Sequence, residues 1–149
     1  MLATILATTL LAAVPAGAPT CIAPDGAQFT LELATDDRSR ALGLMFRDKL
    51  QYDRGMLFIF PADDIYPFWM RHTYFPLDLI WLDATGKVVE VRQGAQPCLR
   101  GDCPQFTPSA KARAVLEING GLAESHGIKP GATLKFEHVP NFPVATAAQ

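Results

Sequence analysis

Arg71, His72 and Thr73 stand in a row, and Asp78 follows in the same aromatic-rich stretch, "FWMRHTYFPLD". Each type suggests a chemistry. Histidine titrates near neutral pH and can pass protons, but as a catalyst it needs an orienting acid and a pocket. Asp78 or Asp53 would be that acid. An arginine can hold an anion or stack on a ring, and Trp69 and Tyr74 are its neighbours in sequence. Asp78 lies between Leu77 and Leu79 in an apolar run. A buried carboxylate must find a partner, because an unpaired charge costs several kcal/mol. The partner is Arg71, Arg47 or a set of backbone N–H groups. A structural role, in which these polar groups satisfy one another, is the competing reading for each of them.

Arg47 and Asp53 flank the segment before "RG" at Arg54. They are placed to close one rim of the same pocket, or to form an exposed salt bridge worth under about 1 kcal/mol. Trp69 offers a flat face to a ligand, whereas Trp81, alternating with Leu77 and Leu79, reads as core. Glu117 reads as an outward acid on an apolar strand and a rim contact. The candidate binding set is therefore Arg71, Asp78, His72, Thr73, Arg47, Asp53 and Trp69. The sequence has no G-x-S-x-G elbow, phosphate loop, H-E-x-x-H or G-x-G-x-x-G. No catalytic residue is assigned, and neither a cofactor nor a metal is expected.

These residues need a scaffold, and the chain's own punctuation outlines one. Its 149 residues suit a single domain, with 49% hydrophobic and 19% charged side chains. The net charge of −2 comes without a basic stripe, which sets nucleic acid aside as a partner. Residues 1–18 carry no charged side chain. They read as a secretory leader with an apolar core, a break at Pro15 and cleavage after Ala16 or Ala18. The apolar stretch is shorter than the ~20 residues a spanning helix needs. The chain is thus expected to be periplasmic or secreted, with no membrane span once the leader is cut. In an oxidising compartment Cys98 and Cys103, set on a Gly/Pro-rich turn, are expected to form a disulfide. Cys21 is left over.

Residues 19–26 read as a linker, 27–139 as one β-rich domain and 140–149 as a loose tail. Gln28–Ala34 alternates apolar and polar, the period of a half-buried strand. A short helix over 36–45 follows, capped by Thr35. Strands are expected at 56–60 and across "FWMRHT", where Arg71 and Thr73 would face one way and His72 the other. Residues 77–92 form the clearest hairpin. A loop over 93–112, "AVLEIN", one helical turn ending at Gly127 and "ATLKFEHV" complete the pattern. Short strands with frequent turns predict a mainly β fold: an antiparallel sandwich or partly closed barrel with one or two short helices.

Five blocks in order, "ALGLMFRDKL", "GMLFIF", "FWMRHTYFPLDLIWLD", "PCLRGDCP" and "AVLEINGG", resemble the bacterial and archaeal family known as domain of unknown function 192. The resemblance covers residues 28–139. It implies a compact, mainly β, often exported domain and no established reaction. It also implies an asparagine where this chain has His72. Three functional readings follow. The first is an exported binding or accessory domain with a polar pocket framed by aromatics, taking a small ligand. The second is a small hydrolase using His72 with an acid. The third is a structural partner of an envelope protein.

Overall fold

The computed structural model describes residues 17–144. The leader's apolar core, its cleavage position after Ala16 and residues 145–149 lie outside them. Within them the elements run β1 (Thr20–Ile22), β2 (Gln28–Ala34), α1 (Asp37–Leu42), β3 (Arg54–Asp64), β4 (Phe68–Trp69), β5 (Leu77–Leu82), β6 (Val88–Ala95), β7 (Gln105–Phe106), β8 (Ala112–Asn119), α2 (Leu122–Ser125) and β9 (Lys135–Glu137). The fold is mainly β with two short helices, as the punctuation predicts.

Seven strands make one curled sheet, in the order β6-β5-β8-β3-β2-β1-β9, and β4 pairs with β7 in a small second sheet. Near the two edges of the large sheet the chain meets itself. The Val88 N–H donates to the Ala132 carbonyl at 2.8 Å, and the Leu134 N–H to that of Gly86 at 3.0 Å. The result is a half-barrel. One pairing departs from the expected antiparallel arrangement, since β2 and β3 run parallel, Leu33 opposite Leu57. α1 lies in the connection between them, and parallel neighbours need such a crossover.

The central strands are apolar at successive positions because both faces are covered. Leu57, Ile80, Leu116 and Ile118 pack on one side with Phe29, Leu31 and Cys21. Met56, Phe58, Leu79, Trp81 and Val115 pack on the other with Leu44 and Met70. The first group fills the barrel. The second lies outside it, beneath β4, β7 and the loop after α1. Full burial of each such side chain contributes about 1.5–3 kcal/mol.

Several boundaries differ from the expectations. Residues 19–26, expected as a linker, contain β1, where Thr20 and Cys21 are buried between β2 and β9. In the expected tail, Phe142 is buried and the Val144 N–H bonds to the Ala84 carbonyl at 2.8 Å. The helix is capped by Asp36 rather than Thr35. Its carboxylate accepts the Ser39 N–H at 2.7 Å, and the Ser39 hydroxyl oxygen accepts the Asp36 N–H at 3.2 Å. This reciprocal pair satisfies two orphan donors, which Thr35 with Arg38 at the third position would not do. The helix stops at Leu42 because Gly43 turns to φ 49. β3 continues past Phe60 to Asp64, with a register irregularity after Ile59. The expected loop over 93–112 begins inside β6 and contains β7.

The largest difference lies at the stretch that opened the sequence analysis. Only Phe68 and Trp69 of "FWMRHT" are strand. The Thr73 N–H turns back to the Met70 carbonyl at 3.1 Å, and His72 has φ 51. A left-handed residue breaks the two-residue alternation, so the expected facing of Arg71 and Thr73 does not apply.

Candidate functional site

A cavity of about 260 Å³ opens between the end of α1 and β4, on the outer face of the barrel. Its walls include Leu44, Phe58, Phe60, Phe68 and Trp69, and Thr73 and Glu117 also face it. Gly43 positions one wall. A Cβ at Gly43 would come within 3.2 Å of the Phe58 ring, so glycine lets the end of α1 lie directly against that ring.

Glu117 is the unusual member. It sits mid-strand in β8, opposite Met56 of β3 and Leu79 of β5. It is only 5% exposed. Among the described residues its carboxyl makes no hydrogen bond or salt bridge, and since no sealed side-chain polar atom there lacks a partner, its oxygens are open to the cavity. Burial raises its pKa to about 8, against a smaller downward pull from Arg47. Arg47 does not reach it directly, because both terminal nitrogens of its guanidinium are spent on Glu32, at 2.5 and 2.8 Å. That forked pair holds the Glu32 carboxyl below its usual range, the hydrogen bond being the larger cause. Arg40 lines the cavity too, but its guanidinium is engaged by Asp37, the Thr35 carbonyl and the Ile59 carbonyl, and it stacks over Phe60.

Of the residues singled out in the sequence, Trp69 and Thr73 face this cavity, and Arg47 acts on it at a distance. Arg71 is exposed, with its guanidinium carbon 5.3 Å from the Trp69 ring centroid. It makes no ion pair with Asp78. The His72 ring stacks on Phe46, centroids 4.8 Å apart, with no acid bonded to it among the described residues. Asp53 is 4.0 Å from Arg54 at the surface.

Asp78 is fully buried and belongs to a different place. Its side chain is on the opposite face of β5 from Leu77 and Leu79, where one oxygen accepts the Gly94 N–H and the other the Ala123 N–H, both at 2.8 Å. Backbone donors, not an arginine, satisfy it. Cys98 and Cys103 are joined, with Cα atoms 5.7 Å apart, and Cys21 is buried, its thiol pushed up to about 12 by desolvation.

Glu117 is the functional candidate whose position the sequence reading misjudged. Its "outward" direction is right for alternation, since Leu116 and Ile118 point into the barrel. But the outer face is itself roofed. The signal was present in Val115: apolar residues at both parities of β8 mean that both faces are covered, so an acid between them is buried. No group of three or more His, Cys, Asp or Glu side chains among the described residues is arranged to hold a metal ion. No helix among them is long and apolar enough to cross a membrane.

The curled seven-strand sheet with its small second sheet places the chain among small, mainly β domains. Residues 20–136 match the family model DUF192, "Uncharacterized ACR". The chain belongs to that family. No curated protein matches it. Among solved structures it is similar to a protein of unknown function from Novosphingobium aromaticivorans DSM 12444. That likeness is 38% identity and a TM-score of 0.71, over 79% of this chain and 83% of the other. It is also similar to a structure from Sinorhizobium meliloti 1021 described as that of a proposed transcription regulator. There the identity is 30% and the TM-score 0.72, over 81% of this chain and 93% of the other.

Proposed function

We propose that this chain is an exported binding domain whose cavity between α1 and β4 takes a small, largely apolar ligand with one polar group. The observation that carries this reading is Glu117, a largely buried residue whose carboxyl has no protein partner among the described residues and opens onto an aromatic-walled cavity. Ligand sites are typically apolar concavities with few convergent polar groups. The Glu117 oxygens open onto the cavity rather than being sealed in apolar surroundings, so the polar group of a ligand can take the place of water there. The uncharged leader-like start and the Cys98–Cys103 pair support export. The net charge of −2 supports a small molecule over duplex DNA as the ligand, whatever the regulator description of the Sinorhizobium meliloti structure means for that protein. The hydrolase reading gains nothing from His72, which lies against Phe46 away from an acid.

The test is a fragment screen by amide NMR on the mature chain, paired with Ala41→Trp. Ala41 is exposed on α1 and lines the cavity, so an indole there fills the mouth at little cost in stability. Ligands should shift the amides of Gly43, Leu44, Trp69 and Thr73, and the variant should abolish the shifts while keeping its melting temperature. Fragments that bind elsewhere, or bind the variant equally, would rule the cavity out. Export is tested separately, by recovering the processed chain from the periplasm or medium.

A further inference from the structure

Resting on that reading of the cavity, we propose that Glu117 meets its ligand as a neutral carboxyl and presents a paired O–H donor and C=O acceptor to a flat ligand with a cis N–H/C=O edge. Lactams, cyclic imides and heteroaromatic amides are the class that fits.

The geometry excludes the simpler role of an anionic anchor. A carboxylate at this position would need a cation, and each nearby one is committed. From the loop after α1, Arg47 is forked onto Glu32. From α1, Arg40 is tied to Asp37 and two carbonyls. The flanking strands bring Met56 and Phe58 from β3 and Leu79 and Trp81 from β5, none of which titrates. β4 brings Phe68 and Trp69, and the turn after it brings the Thr73 hydroxyl, while the His72 ring is taken up by Phe46. Among the described residues Glu117 therefore faces no free positive charge, and burial favours its protonated form, up to about pH 8.

A cationic ligand would supply the missing charge, but two rings beside the cavity already hold guanidinium groups, Arg40 on Phe60 and Arg71 on Trp69. Those two ring faces are thus closed to a ligand cation. A protonated carboxyl instead has one donor and one acceptor side by side. A cis amide edge has the complementary pair in the same plane. The two form a cyclic pair of hydrogen bonds, and the walls of Phe60, Phe68 and Trp69 suit a flat ring.

The probes are 2-quinolone, its N-methyl derivative, benzylammonium and benzoate, titrated against wild type and Glu117→Gln by amide NMR. Glutamine keeps one N–H donor and one acceptor but cannot ionise. The expected result is that 2-quinolone binds both proteins at about pH 6 and that N-methylation weakens it by about tenfold or more. Raising the pH to about 9.5 should weaken 2-quinolone by at least about tenfold in wild type and leave Glu117→Gln unchanged. Benzylammonium binding that strengthens with pH and vanishes in Glu117→Gln would overturn the proposal in favour of an ammonium site. Benzoate as the best probe would overturn it in favour of the arginines. Binding of 2-quinolone in the cavity that neither N-methylation nor high pH weakens in wild type would also overturn it, while leaving the cavity reading intact. If none of the four shifts a cavity amide, both readings fall.

Discussion

The Asp78 carboxylate accepts the Ala123 N–H at 2.8 Å, from a residue far along the chain in the first turn of α2. Its second oxygen accepts the Gly94 N–H at the same distance. One side chain thus ties β5 to β6 and to the helix that follows β8. Asp78→Ala should cost about 2–4 kcal/mol, because it orphans two backbone donors beside a buried cavity. Urea denaturation measures this. Ligand binding by the fraction still folded should be unchanged, and a selective loss of binding at full stability would show that Asp78 belongs to the site instead.

Glu117 should make stability depend on pH in the opposite sense to an ordinary paired carboxylate. Its folded pKa, about 8, lies above the usual 4.5. Between those values the folded state holds a proton that the unfolded state has lost. Its contribution is therefore fully present below about pH 4.5 and is lost as pH rises to about 8, in total on the order of 5 kcal/mol. Glu32, held low by Arg47, acts the other way and weakly, since it is substantially exposed. Comparing wild type with Glu117→Gln isolates the first effect. The difference in denaturation midpoint between the two should grow steadily from pH 5 to pH 8, and a constant difference would refute it.

His72 should tolerate asparagine and resist β-branching. Its φ of 51 is a conformation that asparagine enters readily and valine does not. His72→Asn should change stability by under about 0.5 kcal/mol, and His72→Val should cost about 1–2 kcal/mol. Thermal melts decide. The asparagine that the family resemblance implies here then serves backbone shape rather than amide chemistry.

Reduction of Cys98–Cys103 should loosen the cavity's rim. The Cys98 N–H bonds to the Met70 carbonyl at 3.1 Å and the His72 N–H to the Cys98 carbonyl at 3.0 Å, so the closed loop braces the turn that carries Thr73. Breaking it should cost about 2 kcal/mol and speed hydrogen exchange at residues 70–73 more than at β5 or β8. Uniform acceleration would mean that the bond acts on global stability alone.

The sequence made the strands legible where one periodicity dominated. Gln28–Ala34 and the 77–92 hairpin appear where the alternation and the turn place them, and Trp81 is core, its indole N–H donating to the Tyr66 carbonyl at 2.8 Å. What escaped was set by contacts between distant residues. β1 is a strand because β2 and β9 flank it, not because three residues prefer extension. The turn at 71–73 depends on Cys98. The cavity exists only once β4 and the end of α1 are laid over β8, and this roof turned an apparently exposed glutamate into a buried one. Local pattern fixes which way Glu117 points but not what covers it.

β1 lies between β2 and β9, with Thr20 opposite both Thr30 and Glu137. The first strand of the sheet therefore waits for the last. β2 can pair with β3 and β5 with β6 as they are made, but β8 must arrive to join those pairs and β9 to flank β1, and such sequence-distant pairing is slow. A chain made from its N-terminus keeps its leading strand unpaired on one side until nearly all of it has been made. Completion of the sheet is thereby coupled to completion of the chain.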